Sequence, residues 1–433
     1  MPARFHMPGH KGELCDTDIT ELGFSDNLHN PHGVIKELQE RCASVYAMEN
    51  AHLLVNGSSA GVCAMLVALS LKLHRKARVL VSRDCHKSFI SGAYLSAAEC
   101  IGVYPELETG GVVTPQIIKD ALHNMREKPD AVFITCPNYY GMCADTEAIH
   151  EMLKKENILL FADSAHGAHF PFSERLPSVP SADAFVVSTH KTLSALNQSG
   201  ILFCKNELDE AVKTALSMLQ TTSPSYPIMA SIENALETGY LFKKHIDRIS
   251  PFIERLEREG INVLKKAESA KEKDITRLCI MADGIAKDGY ALYDLLVSHG
   301  IYAEMADNYC VVCITGPCDK DEWYERLFNV LAECKRSYKG KAPDFILKQQ
   351  RENLEYISVR DAMDSESELT RLNESIGRCA CDAVGVYPPG IALIFPGEVI
   401  TKDAVLTLTE ARERGGELFG VRDDMVRVMK YIR

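Results

Sequence analysis

Short apolar runs alternate with amphipathic segments through the first half of the chain, and this alternation constrains the fold more than any other feature. The runs are rich in β-branched residues and read HLLV from position 52, RVLVSR from 78, AVFITC from 131, ILLFADS from 158, AFVVSTH from 184 and GILFCK from 200. Between the first two runs, apolar residues recur at helical spacing at positions 62, 66, 69 and 73. Alternating strands and helices predict an α/β fold with a mainly parallel sheet covered on both faces.

The pattern changes after residue 223, where a long helix and a second α/β unit are predicted. SPSYP precedes a polar-faced helical stretch over residues 228–259, of the kind that connects two domains. The unit that follows alternates strand and helix in ITRLCIMA, GYALYDLLVSHG, YCVVCITG and DEWYERLFNVLAECKR. The charged segment YKGKAPD, residues 338–344, is typical of a linker and leads into a last region containing VYPPGIALIFPGEVIT.

Charge and hydropathy disfavour several classes of function. The chain has 48 Lys and Arg residues against 60 Asp and Glu residues, and its formal net charge of -12 disfavours a nucleic-acid partner and suits a cationic small substrate. The amino terminus lacks the apolar segment of a signal peptide, and no stretch approaches the ~20 apolar residues of a membrane span. We therefore expect a cytoplasmic protein with no membrane contact.

The 15 cysteines are scattered through apolar segments such as VFITC and ILFCK, and we expect them to be free thiols in a reducing compartment. Cys310 and Cys313 form a C-x-x-C. No second pair follows at zinc-finger spacing, so this motif does not predict a metal site.

The carboxyl ends of the predicted strands carry polar residues, and ligands of open α/β sheets bind at those ends. After HLLV, Ser58, Ser59 and Ala60 begin a helix whose free N–H groups suit a phosphate, although serines in this position also serve simply as helix caps. After RVLVSR, His86 lies in a loop where a histidine is either functional or an ordinary hydrogen-bonded residue.

Two further strands end in ionisable groups that require partners. Asp163 follows ILLFA, so its carboxylate is expected to be buried beside a cation, or to serve as a helix cap or in a structural salt bridge. His166 and His169 form an H-x-x-H, but Gly167 between them disfavours a regular metal-binding helix. Lys191 follows AFVVSTH, where desolvation favours the neutral amine that forms a Schiff base.

Together, these strand ends describe a pocket for pyridoxal 5'-phosphate. Lys191 would hold the cofactor as an imine, and Asp163 would pair with its ring nitrogen. The ring of His86 could stack on the cofactor. The phosphate would bind at the hydroxyls of residues 58 and 59, joined by Ser188 and His190 just before the lysine.

Several further motifs follow one another along nearly the whole chain: FHMPGHKG, DITELGFSDNLHNPHGVI, NGSSAG, SRDCHKS, ITCPNYYG, FADSAHGAHF, STHKTLSALNQSG, TTSPSYPIMAS and YPPGIALIFPGE. In this order they resemble the bacterial-type ornithine/lysine/arginine decarboxylases, which depend on pyridoxal phosphate and have the aspartate-aminotransferase fold (fold type I). Any one motif alone would be weak, whereas the ordered set is specific. The resemblance implies a large cofactor-binding domain with a mainly parallel sheet and smaller C-terminal α/β domains.

The resemblance also implies roles for the candidate residues. Lys191 is expected to be the Schiff-base lysine, Asp163 the partner of the pyridine nitrogen and His86 the residue stacked on the ring. Residues expected around the phosphate are Ser58, Ser59, Ala60, Ser188 and His190.

Three more residues are assigned by the same resemblance. Ala165 is expected to lie against the ring, and His166 to approach the phenolic oxygen or the substrate. Glu398 in PGEVIT is expected to supply the counter-charge for a distal ammonium or guanidinium.

The reaction implied is decarboxylation of arginine, lysine or ornithine to carbon dioxide and the corresponding amine, with Lys191 or His86 returning a proton to the α-carbon. Two alternatives stay open. One is another reaction of the same fold type, such as transamination or elimination. The other is a non-catalytic relative that binds the cofactor or a polyamine and regulates a partner protein, although the intact set of Lys191, Asp163 and His86 disfavours it.

Domain boundaries and assembly follow from the same comparison with the family. We expect an N-terminal arm over residues 1–22, a cofactor-binding large domain over 23–245, a small α/β domain over 246–340 and a C-terminal region over 341–433 that completes the active site. The sequence begins almost directly at the PGHKG arm, without the N-terminal wing domain of many relatives. We therefore expect a homodimer or a dimer of dimers with active sites at the interface.

Overall fold

A seven-stranded sheet organises the first half of the chain. The computed structural model describes residues 4–106, 108, 110–340, 358–387 and 390–430. The first eight strands are β1 (Asn50–Leu54), β2 (Arg78–Ser82), β3 (Glu99–Val103), β4 (Ala131–Thr135), β5 (Met142–Cys143), β6 (Leu159–Asp163), β7 (Ala184–Val187) and β8 (Gly200–Cys204). All of them except β5 form one sheet in the order β1-β8-β7-β6-β4-β2-β3.

The strand directions confirm the mainly parallel sheet predicted from the sequence. β7, β6, β4, β2 and β3 run parallel to one another, whereas β8 runs antiparallel to both β1 and β7. The ends of the parallel strands therefore share one edge of the sheet, where Asp163 of β6 lies beside Thr135 of β4. The edge strand β3 was not predicted, because Glu99 and Gly102 interrupt its short apolar run.

Helices cover both faces of this sheet, as the alternating pattern predicts. Leu66 packs in one buried cluster with Val79 of β2, and Ile149 packs in a second cluster with the next residue, Leu80. The helices that precede residue 220 are α1 (Val34–Val45), α2 (Gly57–Leu73), α3 (Ser88–Ser96), α4 (Pro115–Asn124), α5 (Thr146–Lys154), α6 (Thr189–Thr192) and α7 (Asn206–Leu219).

The helix α5 is capped by Asp145, whose side chain accepts from the N–H of Ala148 at 3.2 Å. One helix prediction needs correction. The helix predicted over residues 228–259 is two helices, α8 (Tyr226–Thr238) and α9 (Leu241–Arg258). They meet at Gly239, where a Cβ atom would lie 2.2 Å from the ring of Phe172, so only glycine lets the ring pack there.

The helix α9 connects the large sheet to a second core, as predicted for a bridging helix. Ile246 belongs to the cluster beneath the large sheet, and Phe252 belongs to the next cluster along the chain. That second core contains β10 (Arg277–Met281), α10 (Gly289–Ser298), β11 (Met305–Ala306), β12 (Cys310–Ile314) and α11 (Asp321–Ser337). The three strands form an antiparallel sheet in the order β10-β12-β11, while β9 (Glu272–Lys273) pairs with β5.

The C-terminal region forms a third unit that packs against the first. Its elements are α12 (Val359–Asp364), β13 (Ser367–Arg371), β14 (Val384–Tyr387), β15 (Ile391–Ile394), α13 (Lys402–Glu413), β16 (Glu417–Phe419) and β17 (Met425–Met429). β15 and β16 flank β14, and β13 pairs with β17. Phe395 of this unit is buried in a cluster with Phe89 of the large sheet's helices, so the unit covers one side of the large domain.

The boundaries between the four regions proposed from the sequence stay predictions. The first part of the predicted linker, residues 338–340, is described, and the remainder lies outside the described residues, as do both prolines of VYPPG. All 15 cysteines are free thiols, as expected, and most of them are buried. No helix within the described ranges is long and apolar enough to cross a membrane.

Asp183 fixes the start of β7, the strand that leads to Lys191. Its carboxylate accepts from the N–H of Leu160 at 2.8 Å and from Lys205 Nζ at 2.7 Å, and lies 3.0 Å from His150 Nε2. Burial acts against the charge, but the bonds from His150 and Lys205 outweigh it and lower the pKa of Asp183 to about 2. The carboxylate therefore stabilises the junction of β6, β7 and β8.

We predict that Asp183→Asn lowers the free energy of unfolding at pH 7 by about 2 kcal/mol. The carboxyl pKa is lower in the folded state, so its contribution is complete above the unfolded value and declines as the pH falls. The difference between wild type and variant should therefore shrink to about half by pH 3. Urea denaturation across this range measures it, and a difference independent of pH would contradict the assignment.

Candidate active site

The candidate site lies at the edge of the large sheet where the parallel strands end. β1 leads to Ser58, β2 to His86, β6 to Asp163 and β7 to Lys191. The Ser188 N–H donates to the Ala165 carbonyl at 3.2 Å, and the Ser188 hydroxyl donates to Ser58 Oγ at 2.8 Å. Residues far apart in the sequence are thus brought to one edge.

The N-terminus of α2 has no side-chain cap, and of its first N–H groups that of Gly57 donates to the Gln198 carbonyl at 2.8 Å. Asn56 precedes the helix, but its side chain makes no capping hydrogen bond, and the serines do not cap it either. Gly57 has a φ of +74°, and a Cβ at that position would meet no atom within 4 Å, so the space beside the turn is open. Ser58 and Ala60 are half-buried in the first turn and Ser59 is exposed there. These features suit an anion such as a phosphate.

His190 lies two residues after Ser188, which bonds to Ser58, but its own ring bonds elsewhere. Its Nδ1 lies 2.8 Å from the Ser199 carbonyl, which can only accept, so Nδ1 carries a proton. Burial is the largest cause that lowers the pKa of His190. The ring is therefore neutral near pH 7, with Nε2 as its unprotonated nitrogen.

Asp163 and Lys191 face the same buried region. Asp163 is 6% exposed, and one of its carboxylate oxygens accepts from the Ala165 N–H at 3.0 Å. Burial lowers the pKa of Lys191 and the guanidinium of Arg277 lowers it further, whereas the carboxylate of Asp163 acts in the opposite direction. A half-buried lysine thus lies within the electrostatic influence of a buried carboxylate.

His166 contacts Lys191 directly. Its Nε2 lies 3.1 Å from Lys191 Nζ, and its ring packs on that of Tyr139 with centroids 4.5 Å apart. Burial, and then the neighbouring side chains of Lys191 and Arg277, hold the pKa of His166 well below its usual range. His166 is therefore a neutral imidazole at the centre of the site.

His86 enters the site from the end of β2. Its Nδ1 accepts from the Ser88 N–H at 3.2 Å, which leaves the ring proton on Nε2. Burial lowers the pKa of His86, while the charge of Asp163 raises it in part. The C-terminal region closes over this histidine, because His86 forms a β-bridge with Ile391 and a Cβ at Gly390 would lie 3.2 Å from its Nε2.

Glu398 has a partner that the resemblance did not predict. It is 7% exposed, its carboxylate lies 2.9 Å from Arg83 Nη2, and it also accepts from the Phe395 N–H at 2.8 Å. The Arg83 guanidinium lies over the Phe395 ring at 3.5 Å and bonds the Leu393 carbonyl at 3.1 Å. The charge of Glu398 is therefore already balanced within the chain, and its assignment to substrate stays a prediction.

A cavity of about 430 Å³ opens beside Tyr139, between the large domain, the second core and the C-terminal region. Arg83 is the one Lys or Arg among its described lining residues. Burial raises the pKa of Asp84, which lies between the cavity and Asp163, to about 6. The carboxyl groups that line the cavity are Asp84, Glu106, Glu108, Asp307, Glu398, Asp403 and Glu410.

Sequence analysis missed two residues of this site. Tyr139 lies in the motif ITCPNYYG and Arg277 in the predicted strand ITRLCIMA, but the sequence assigns neither of them a role. An arginine inside an apolar strand is itself a signal, since such a charge is rarely buried without a function or a partner. Tyr139 carries no comparable signal, because an aromatic residue in a loop is common.

The chain matches the profile of the Orn/Lys/Arg decarboxylase major domain over residues 2–269 and that of the C-terminal domain over 348–424. It is a member of the Orn/Lys/Arg decarboxylase family. Its fold is that of fold type I, as predicted. Membership makes the chain an amino-acid decarboxylase that uses pyridoxal 5'-phosphate.

Similar proteins cover most of the chain. An arginine decarboxylase of Halalkalibacterium halodurans is 29% identical, over 100% of this chain and 95% of that protein. The constitutive lysine decarboxylase of Escherichia coli is 23% identical over 89% of this chain and 68% of its own length. A solved structure of that lysine decarboxylase superimposes with a TM-score of 0.79, covering 99% of this chain and 80% of the other at 20% identity, which supports the fold.

The residues at this edge of the sheet fit the family's cofactor. The uncapped start of α2 can receive its phosphate, Asp163 is a buried carboxylate for a ring nitrogen, and Lys191 is an amine with a lowered pKa. The space beside Gly57 is open, as such a ligand requires. The roles of the individual residues stay predictions.

We predict that Glu398→Gln destabilises the C-terminal region, because it leaves the Arg83 guanidinium buried without its counter-charge. The free energy of unfolding should fall by about 3 kcal/mol. Asp403→Asn is the matched control, since Asp403 is an exposed carboxylate on the same cavity. Denaturant unfolding compares the two variants. Unchanged stability with a raised KM for a basic amino acid would instead support contact between Glu398 and substrate.

Proposed function

We propose that this decarboxylase acts on a basic amino acid, arginine, lysine or ornithine, and releases carbon dioxide and the corresponding di- or polyamine. The observation that carries the proposal is the carboxylate-lined cavity next to the contact between Lys191 and His166. The arginine and lysine decarboxylases among the relatives support the same substrate class.

The charge of the cavity favours a cation at the far end of the substrate. Arg83 is paired with Glu398, so the remaining carboxylates are not balanced by another lining Lys or Arg within the described part of the chain. A distal ammonium or guanidinium entering this space would supply that balance. A neutral side chain of the same length would leave the carboxylates without a counter-charge. The cavity is therefore expected to prefer substrates whose side chain is positively charged.

The residues that would hold the cofactor are those at the strand ends. Lys191 would bind it covalently, Asp163 would keep its ring nitrogen protonated, and the start of α2 would hold its phosphate. When bound, the cofactor supplies an electron sink for the pair left by the departing carboxylate. Stacking by His86 would fix the plane of the ring relative to the bond that breaks.

Proton transfer is available from two neutral histidines. In both rings Nδ1 accepts a hydrogen bond, from the Ser88 N–H to His86 and from Arg277 to His166, so each ring carries its proton on Nε2. His166 Nε2 faces Lys191 Nζ. We propose that Lys191 or His86 returns the proton to the α-carbon, with His166 holding the lysine in place.

The homodimer expected from the resemblance stays a proposal. The N-terminal segment exposes large apolar side chains, with Phe5 95%, Leu14 85% and Phe24 74% exposed. Apolar side chains this exposed are typical of a surface that another chain covers. Together with the exposed segment, the closure of His86 by the C-terminal region is compatible with an active site completed at an interface.

We predict steady release of carbon dioxide and an amine from at least one of arginine, lysine and ornithine. Because the cavity selects charge, citrulline in place of arginine, or norleucine in place of lysine, should lower kcat/KM at least about tenfold, which is ~1.4 kcal/mol. Carbon dioxide evolution with amine and keto-acid analysis measures this. A keto acid as the main product would indicate transamination, and equal turnover of the neutral analogues would contradict the proposed substrate class.

A further inference from the structure

Arg277 is a buried cation at the centre of the molecule. It begins β10 and is 0% exposed. Its Nη2 lies 2.9 Å from His166 Nδ1 and 3.3 Å from the His166 carbonyl. Its stem packs on Gly141, where a Cβ would lie 2.7 Å from the Arg277 Cγ. The guanidinium is thus held rigidly against His166.

The rest of the guanidinium is not neutralised by a close partner. Nε and Nη1 are buried without a hydrogen-bond partner, and Arg277 forms no ion pair with any described residue. Asp274, a buried carboxylate whose pKa the guanidinium helps to lower, is bonded to Thr276 and paired with His169 at 3.1 Å. A buried charge without its own ion pair costs several kcal/mol of stability. Its presence beside the reactive lysine therefore needs a functional explanation.

The hydrogen-bond chain fixes where the protons are. A guanidinium only donates, so His166 Nδ1 must accept, and the single proton of the neutral ring is on Nε2. That nitrogen lies 3.1 Å from Lys191 Nζ. An ammonium cannot accept a hydrogen bond, so Lys191 must be a neutral amine that accepts from His166.

We propose that Arg277 is a positioning residue that acts through His166: it locks the Nε2–H tautomer of that ring and thereby holds Lys191 as a free amine. The neutral amine is the form that reacts with a carbonyl group. Arg277 would thus keep Lys191 ready to bind the cofactor, and to form that bond again after each turnover. The proposal rests on the proposed function only in taking Lys191 as the cofactor lysine.

The charges around Lys191 agree with this arrangement. Asp163 and Glu304 favour its charged form, whereas burial and Arg277 disfavour it, and the result is a lowered pKa. His86, His166 and His190 also face the amine, and the Tyr139 ring lies 5.9 Å from Nζ. Arg277 carries a fixed positive charge that disfavours the charged form of Lys191. Its removal should therefore increase the fraction of Lys191 that is protonated.

A role for Arg277 in binding the substrate's α-carboxylate is the main competing explanation. The guanidinium is fully buried, its Nε and Nη1 are among the buried atoms, and Arg277 is not one of the residues that line the cavity. In this arrangement it cannot touch a ligand in the cavity. Only the positioning role predicts that Arg277 affects the protonation of Lys191 when no substrate is present, and the experiment tests this difference.

The experiment follows Lys191 and His166 in full-length protein stripped of cofactor. The pH profile of Lys191 acetylation, quantified by mass spectrometry, reports its neutral fraction, and ¹⁵N-histidine NMR reports the tautomer of His166. In Arg277→Gln and Arg277→Met we expect the midpoint of the Lys191 profile to move up by about one pH unit, so that labelling at pH values below the wild-type midpoint falls about tenfold. Arg277→Lys, which keeps the charge, should restore labelling to near the wild-type rate.

Arg248→Gln is the matched control. Arg248 makes the same contact, Nη2 to His245 Nδ1 at 3.1 Å, in the second core away from Lys191. This variant should leave the Lys191 profile unchanged, and the exposed Lys265 should label equally in all proteins.

Three results would overturn the proposal. The first is an unchanged pH profile of Lys191 acetylation in the Gln and Met variants. The second is a raised substrate KM while that profile is unchanged, which would assign Arg277 to substrate binding instead. The third comes from NMR of the wild-type protein, which tests the proposal even if those variants do not fold. An Nδ1–H tautomer or an imidazolium at His166 would contradict the hydrogen bonds from Arg277 to His166 and from His166 to Lys191. Absence of decarboxylation with a shifted Lys191 profile would refute the proposed substrate and leave the role of Arg277 intact.

Discussion

The desolvation of Lys191 is the constraint on which the rest of this site depends. Placed at the end of a fully buried strand, its side chain is stable only as a neutral amine or with its charge balanced nearby. The structure meets that condition with the Nε2–H of His166 on one side and the carboxylate of Asp163 on the other. Each neighbour requires its own support, which comes from the Ala165 N–H for Asp163 and from Arg277 for His166.

These supports come from three parts of the chain. The parallel strands of the large sheet bring Asp163 and Lys191 to one edge, and the first strand of the second core brings Arg277. The C-terminal region closes over His86 through its bridge to Ile391. The site is thus completed only when all three parts pack together, which makes the buried contacts between them as important for function as the residues that react.

The polar residues that follow the apolar runs made the position of this site predictable from the sequence. The apolar runs located six of the seven strands of the large sheet, and the ends of those runs indicated that Lys191 and Asp163 lie at one edge of it. The pairing of Glu398 with Arg83 was not predictable, because 315 residues separate the partners and nothing local indicates the contact. The packing of Phe172 on Gly239, at the junction of α8 and α9, was not predictable either, because the ring comes from elsewhere in the chain. Local patterns specify elements, whereas such contacts arise only from tertiary packing.

The central claim is that Lys191 is the residue that binds the cofactor. Borohydride reduction of the cofactor-loaded protein, followed by proteolysis and mass spectrometry, tests it most directly, because reduction makes the link permanent at whichever lysine forms it. We predict the pyridoxyl label on the peptide STHKTL and on Lys191 within it. A label on Lys87, the other lysine at a strand end of this site, or a label still present in Lys191→Ala, would contradict the account.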